Sequence, residues 1–278
     1  MIVSASRLWS FVLVRFRPEV YVSYGVLWSL ALEAVASDHW RPSPATVARA
    51  ASVVLTLLFL RMLDEQKDLD YDRRHHPDRP LVTGAITSSE LRSAMMVCTL
   101  CVLALNSLLS VVSLVLATLP LGYGLALAAA ERRFPAVRDG VLVSLAASYP
   151  VQLLVSCYLY VSSTGAVGWR AVPVVLVFAF AFLHFEFARK TRWLGMAGER
   201  LYSLALGPAL SGTVTLCWAV AAVVLIVSLT TTWFVVLLVP PVLAARRFLA
   251  GTSESWPLPA AMAFVLLSYL SLIAYGLR

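Results

Sequence analysis

Long apolar runs broken by short polar punctuation dominate this chain. A bilayer core of roughly 30 Å is crossed by about 20 apolar helical residues, each rising about 1.5 Å. Nine windows fit that scale: 20–36, 45–63, 90–109, 111–130, 140–162, 171–187, 207–229, 231–247 and 257–277. Turn or charge signals separate most of them, among them Arg41-Pro42-Ser43-Pro44, Phe134-Pro135, Ser162-Ser163-Thr164-Gly165 and Ser255-Trp256-Pro257. The breaks at Asn106–Ser110 and Thr230-Thr231-Thr232 are weaker. The pattern predicts an all-α integral membrane protein: a bundle of nine transmembrane helices forming one domain over 1–278, with residues 1–19 as an interfacial segment.

Composition agrees with the pattern. Charged residues make up 13% and hydrophobic residues 60% of the 278. A soluble domain carries about 25% charge, so a water-soluble enzyme, a secreted disulfide scaffold and a disordered tail are excluded. Cys98, Cys101, Cys157 and Cys217 lie inside apolar runs and read as small hydrophobes. The stretch Leu8–Val14 is too short for a signal sequence and runs into Arg15-Phe16-Arg17-Pro18.

Charge sets the orientation. With nine spans, all but four of the 22 Lys/Arg fall on the N-terminal side; the exceptions are Arg41, Arg49, Arg170 and Arg278. That side is therefore expected to face the cytoplasm, N-terminus included. The net charge of +7 follows from topology and needs no nucleic-acid partner.

The acidic residues are not spread evenly. Six of fifteen fall between Asp64 and Asp78, in LRMLDEQKDLDYDRRHHPDRPLVTGAITSSEL after the second span. Asp64, Asp68 and Asp72 are spaced i, i+4, i+8, which stacks them on one face if the helix continues. Stacked carboxylates call for a cation, and Mg²⁺ suits hard oxygen donors and phosphate-bearing substrates. The competing reading is a solvated juxtamembrane helix; the spacing, the following Arg79-Pro80 and the sparing use of acid elsewhere favour metal and phosphate. A second polar cluster follows the sixth span: His184, Glu186, Arg189, Lys190 and Arg192, then Glu199, Arg200, Tyr202 and Ser203. Glu186 is expected to share in metal binding and Arg189 and Lys190 to grip diphosphate oxygens, against a plain i, i+3/i+4 ion pair. His75 and His76, adjacent on a loop, suit solvent or phosphate better than a transition metal.

These residues and this layout resemble the UbiA superfamily of intramembrane prenyltransferases, whose nine helices carry acidic motifs in the cytoplasmic loops after helices 2 and 6. The family's first motif, Asn-x-x-x-Asp-x-x-x-Asp followed by Arg-Pro and Gly, is matched by Asp64, Asp68, Asp72, Arg79-Pro80 and Gly84. Tyr123 and Arg132-Arg133 are similar to a further element near the end of helix 4. Asp64 replaces the usual Asn, Glu65 stands where many members have Asp, and Glu186 with Lys190 takes the place of a second Asp-x-x-x-Asp. That form is more similar to the membrane-bound terpene cyclase branch.

The resemblance implies ionisation of an isoprenyl diphosphate of the farnesyl or geranylgeranyl class, with release of pyrophosphate. It places Asp64, Glu65, Asp68, Asp72 and Glu186 around Mg²⁺, and Lys67, Arg79, Arg132, Arg189, Lys190 and Tyr202 on the diphosphate. Phe178, Phe182 and Phe185, at i, i+4, i+7, together with Tyr123, would face the prenyl cation, although such stripes also serve packing. Cyclisation of the cation is the preferred outcome, because transfer often needs a base for the acceptor's proton and no isolated acid or His inside the spans clearly offers one, Glu33 being the only other candidate. Transfer of the prenyl group to an aromatic or other lipophilic acceptor is the alternative. A transporter is remote, since charges cluster at helix ends and not at the midplane.

Overall fold

The structure is a computed structural model that describes residues 5–37, 39–195 and 199–278. Of the expected interfacial segment, residues 1–4 lie outside the described residues. The helices are α1 Ala5–Phe11, α2 Pro18–Ala36, α3 Pro44–Lys67, α4 Leu69–His75, α5 Ser88–Ser107, α6 Val111–Arg133, α7 Pro135–Asp139, α8 Val141–Ser148, α9 Pro150–Thr164, α10 Ala171–Arg189, α11 Tyr202–Leu206, α12 Pro208–Leu229, α13 Val239–Leu249 and α14 Leu258–Gly276. A π-helical turn, Val12–Phe16, follows α1. A 3₁₀ stretch, Thr232–Leu238, precedes α13. Among the described residues the one extended pairing is an isolated bridge between Arg192 and Ser255.

Eight helical segments among the described residues are long and apolar enough to cross a membrane, and the chain is an integral membrane protein. The remaining window of the expected nine is the first, 20–36. The first window lies in α2, where Glu19 and Glu33 dilute the apolar content, and α2 is not among the eight. Two windows are also less regular than the hydropathy suggests. The 140–162 run divides at Tyr149 into α8 and α9, with Pro150 opening α9. In the 231–247 run, regular α-helix begins only at Val239, with Pro240 and Pro241 in its first turn, where missing N–H groups are harmless.

Short polar residues set the other helix starts. Ser43 and Thr46 form a reciprocal cap on α3, and Thr87 and Glu90 form one on α5. Ser110 caps α6, so the weak break near Asn106–Ser110 is a genuine helix boundary.

The chain divides into two compact units, residues 1–29 with 42–134 and residues 30–41 with 135–278. In the first, α3 packs against α5 and α6. Asn106 donates to the Ser52 hydroxyl at 2.9 Å and to the Val102 carbonyl at 2.8 Å, joining α5 to α3 by a buried polar contact. In the second, α10 is the central element and packs on α9, α12 and α14. His184, fully buried on α10, meets the Thr215 carbonyl of α12 through Nδ1 at 2.8 Å. Gly276 allows close approach: a Cβ there would lie 2.6 Å from the Ala34 carbonyl oxygen.

Candidate functional site

The acidic segment of the first unit begins where α3 stops being apolar. Regular helix ends at Lys67; Asp68 takes φ −88° and ψ 5°, and α4 starts at Leu69. Backbone bonds from Asp68 to Asp64, Asp72 to Asp68 and His76 to Asp72 bridge the break at 2.8–2.9 Å. The three aspartates thus keep a helical spacing through a helix–cap–helix join and not along one unbroken helix.

Each acid has a distinct environment. Asp64 is half exposed and pairs with Lys67 at 3.3 Å. Lys67 also reaches Glu131 of α6 at 3.1 Å. Glu65 is buried, its Oε1 held by Arg15 at 2.5 Å and Arg61 at 3.0 Å, while Oε2 has no hydrogen-bond partner. Asp72 is buried and pairs with Arg79 through Oδ2. Its Oδ1 is buried without a hydrogen-bond partner. Asp70 pairs with Arg73 on the exposed side of α4. Among the described residues no three His, Cys, Asp or Glu converge in a metal-holding group. The expected ladder is therefore present as a donor set whose side chains turn towards neighbouring cations.

The loop between α4 and α5 is closed by backbone bonds from Val82 and Thr83 to the Arg79 carbonyl and from Ile86 to Pro80. Gly84 adopts φ +76°, a conformation strained for other residues. Glu90, in the first turn of α5, accepts from the Thr87 backbone N–H at 2.9 Å and also pairs with Arg7 at 3.2 Å. His75 stacks on Tyr71 with ring centroids 4.1 Å apart.

The second unit holds the other polar cluster. Glu186, in the last turn of α10, is surrounded by Arg189 at 2.5 Å, Lys190 at 2.7 Å and the Tyr202 hydroxyl at 3.2 Å. Lys190 lies 5.0 Å from the centroid of the Tyr202 ring, which also stacks on Phe187 at 4.4 Å. Burial, and then the Glu186 carboxylate, hold the Tyr202 phenol above its ordinary pKa. A cavity of about 80 Å³ opens beside this group, with Ser144, Ser148, Glu186, Lys190, Arg200 and Tyr202 in its wall. A compact ion pair is formed here, with cationic and hydroxyl groups beside an open space.

The three phenylalanines of α10 disperse. Phe178 is fully buried against Tyr269 at 5.2 Å. Phe182 approaches Tyr149 at 6.3 Å, and Phe185 packs on the cluster of Ala188, Ala244, Phe248 and Trp256. They share no single surface. Tyr123 is partly buried on α6, and Arg132 is exposed at its end. Glu33 is buried and accepts from the Trp40 indole at 3.3 Å.

Arg7, Arg15, Arg61 and Glu131 escaped the sequence reading as partners of the acidic segment. Glu131 beside Arg132-Arg133 is the one signal that could have been noticed; the arginines are distant in sequence or looked like ordinary cytoplasmic anchors.

No family model matches the sequence. No curated protein matches it. Solved structures do. A UbiA homologue from Aeropyrum pernix K1 superposes with a TM-score of 0.60 at 19% identity, over 90% of this chain and 96% of that one. A digeranylgeranylglyceryl phosphate synthase gives 0.61 at 15% identity, over 98% and 99%. The fold is that of the UbiA homologues. A further UbiA homologue, from Archaeoglobus fulgidus and bound to GPP and Mg²⁺, gives 0.59 at 14% identity over 96% and 98%. The UbiA-like fold thus extends over essentially the whole chain, and at these identities the likeness is one of fold alone.

Proposed function

We propose that this chain is a UbiA-type, Mg²⁺-dependent intramembrane enzyme that ionises an isoprenyl diphosphate, releases pyrophosphate and passes the prenyl group to a lipophilic acceptor. The observation that carries the reading is the acidic segment itself, above all Asp72, whose buried Oδ1 lacks a partner within a UbiA-like fold. A desolvated oxygen without a partner costs about 1–3 kcal/mol, so a site that retains one is suited to a ligand. Carboxylate oxygens of Asp64, Asp68 and Asp72 suit Mg²⁺. Bound there, the ion would neutralise charge that develops on the leaving diphosphate.

The chain's own groups do the rest. Arg79 and Lys67, now paired with Asp72 and Asp64, are placed to exchange those carboxylates for phosphate oxygens. Arg189, Lys190 and Tyr202 are further phosphate-oxygen ligands, with Arg132 a peripheral basic residue. Glu65, enclosed by two guanidiniums, serves the site by holding them. The apolar helices accept the isoprenoid tail at about 0.8 kcal/mol per buried CH₂, and a water-poor interior protects the allylic cation. The acidic segment is proposed to face the cytoplasm with the N-terminus, following the bias of basic residues.

Transfer is preferred to cyclisation because Phe178, Phe182 and Phe185 pack in three directions, against Tyr269, Tyr149 and the Phe248–Trp256 cluster, and form no common aromatic surface to steer a cyclising cation. Cyclisation, the outcome preferred on the sequence, is the second reading, favoured by Glu33: the other candidate base within the predicted spans already accepts a hydrogen bond from the Trp40 indole. Membranes containing the protein would be given Mg²⁺ and geranyl, farnesyl or geranylgeranyl diphosphate, beside an Asp68→Ala control. Pyrophosphate release that requires an added lipophilic acceptor supports transfer. A cyclic hydrocarbon or alcohol formed without acceptor establishes cyclisation, and no turnover with any substrate rejects both.

A further inference from the structure

Two arginines of the N-terminal segment reach the two flanks of the acidic segment, all within the first unit. Arg15 grips Glu65, immediately after Asp64. Arg7 reaches the far side of the loop: Nε donates to the Ala85 carbonyl at 2.7 Å, Nη2 to the Gly84 carbonyl at 2.8 Å, and Nη1 pairs with Glu90 at 3.2 Å. One planar guanidinium thereby ties α1, the loop and the start of α5 together, a task that needs its fixed fork of donors.

The loop needs such a tie. Thr83, Gly84 and Ala85 are exposed, while packing holds the flanking Leu81 and Ile86. The near end carries Arg79, engaged with Asp72, and the backbone bonds of Val82, Thr83 and Ile86 close on Arg79 and Pro80. Movement at Gly84–Ala85 would therefore reach Arg79 through a few residues of turn. We propose that Arg7 is a positioning residue: by holding Gly84 and Ala85 it sets the loop so that Arg79 and Asp72 are presented correctly for a divalent cation and its diphosphate. This rests on the functional reading above. Arg7 itself touches none of the reacting groups.

The test uses Arg7→Met and Arg7→Lys. Arg15 is avoided because its loss would leave buried Glu65 short of a partner and endanger folding. Arg7 is 40% exposed and Glu90 keeps its Thr87 cap, so the bundle should survive, as thermal unfolding in detergent would verify. Hydrogen exchange over 79–87, without metal, should be faster in Arg7→Met than in the wild type. Mn²⁺ binding followed by electron paramagnetic resonance, with pyrophosphate present, should weaken about tenfold, and the Mg²⁺ needed for half-maximal pyrophosphate release should rise in step. Arg7→Lys should restore part of each, having the charge without the fork. Unchanged exchange in Arg7→Met, or faster exchange with unchanged Mn²⁺ affinity, would overturn the positioning role. A wild type that neither binds Mn²⁺ nor releases pyrophosphate would instead overturn the functional reading, and the role with it.

Discussion

Asp72 and Glu186 are both buried carboxylates near the cytoplasm-proximal ends predicted for apolar helices, and each has an arginine beside it. Their second oxygens differ. Glu186 has both engaged: Oε2 by Arg189, and Oε1 by Lys190 and the Tyr202 hydroxyl. Asp72 uses Oδ2 for Arg79 and leaves Oδ1 without a hydrogen-bond partner. Because an unsatisfied buried oxygen is unfavourable whereas a saturated one is not, the first arrangement has spare capacity for a ligand and the second is self-contained. The first unit is thus read as the cation end of the chemistry, and the second as a preassembled cluster whose cations outnumber its acid.

The strongest way to break this comparison is Asp68→Ala. It should lower Mg²⁺-dependent pyrophosphate release about 10²–10³-fold, the scale of losing one electrostatic stabiliser of a transition state, with little change in unfolding temperature; retained turnover would remove the metal site. Glu186→Gln should act the other way, on the fold. Loss of a buried acid that holds two cations costs about 3–5 kcal/mol when both are buried; Arg189 is 53% exposed, and hydration should reduce this to about 2 kcal/mol. Thermal unfolding in detergent reads the result, and an unchanged midpoint would show that the cluster is not self-supporting.

Smaller changes sharpen the contrast. Lys190→Ala should raise KM for the prenyl diphosphate about tenfold, equivalent to about 1.4 kcal/mol, and unaltered kinetics would leave Lys190 as a partner of Glu186 alone. Tyr202→Phe removes one hydroxyl contact to Glu186 and should cost about 1 kcal/mol of stability, measured in the same unfolding assay. With its pKa raised, the Tyr202 phenol stays protonated through the usual assay range. The alkaline limb of the pH–rate profile should therefore be the same in Tyr202→Phe and the wild type, and a lost limb in the variant would show that the phenol titrates.

Much of this was legible along the chain. Apolar run length located the crossing helices, because a bilayer imposes a minimum length on any segment that spans it. The spacing of Asp64, Asp68 and Asp72, with Arg79-Pro80 and Gly84 after it, marks the acidic segment in the sequence itself. The breaks that contain Ser43 and Ser110 coincide with helix starts that those residues cap, since capping is a local transaction between a side chain and the next turn. The first window falls in α2, where two glutamates sit in a helix of 19 residues, and hydropathy smoothed over the helix break at Tyr149 and the 3₁₀ turn at Thr232–Leu238.

Tertiary structure decided who partners whom. Nothing in the spacing of residues 64–72 tells that Glu65 would be enclosed by Arg15 and Arg61, that Lys67 would reach Glu131 on α6, or that Arg7 would hold the loop at Gly84. Apart from Arg61, one helical turn before Glu65, these are pairings across long stretches of chain, set by which helices pack together. The same holds for Phe178, Phe182 and Phe185, whose regular spacing suggested one aromatic face. A helix packed by several neighbours presents different faces to each of them. Local chemistry therefore wrote the acidic segment into the sequence, while packing determined which carboxylate oxygens were already taken and which, Asp72 Oδ1 and Glu65 Oε2, were left over.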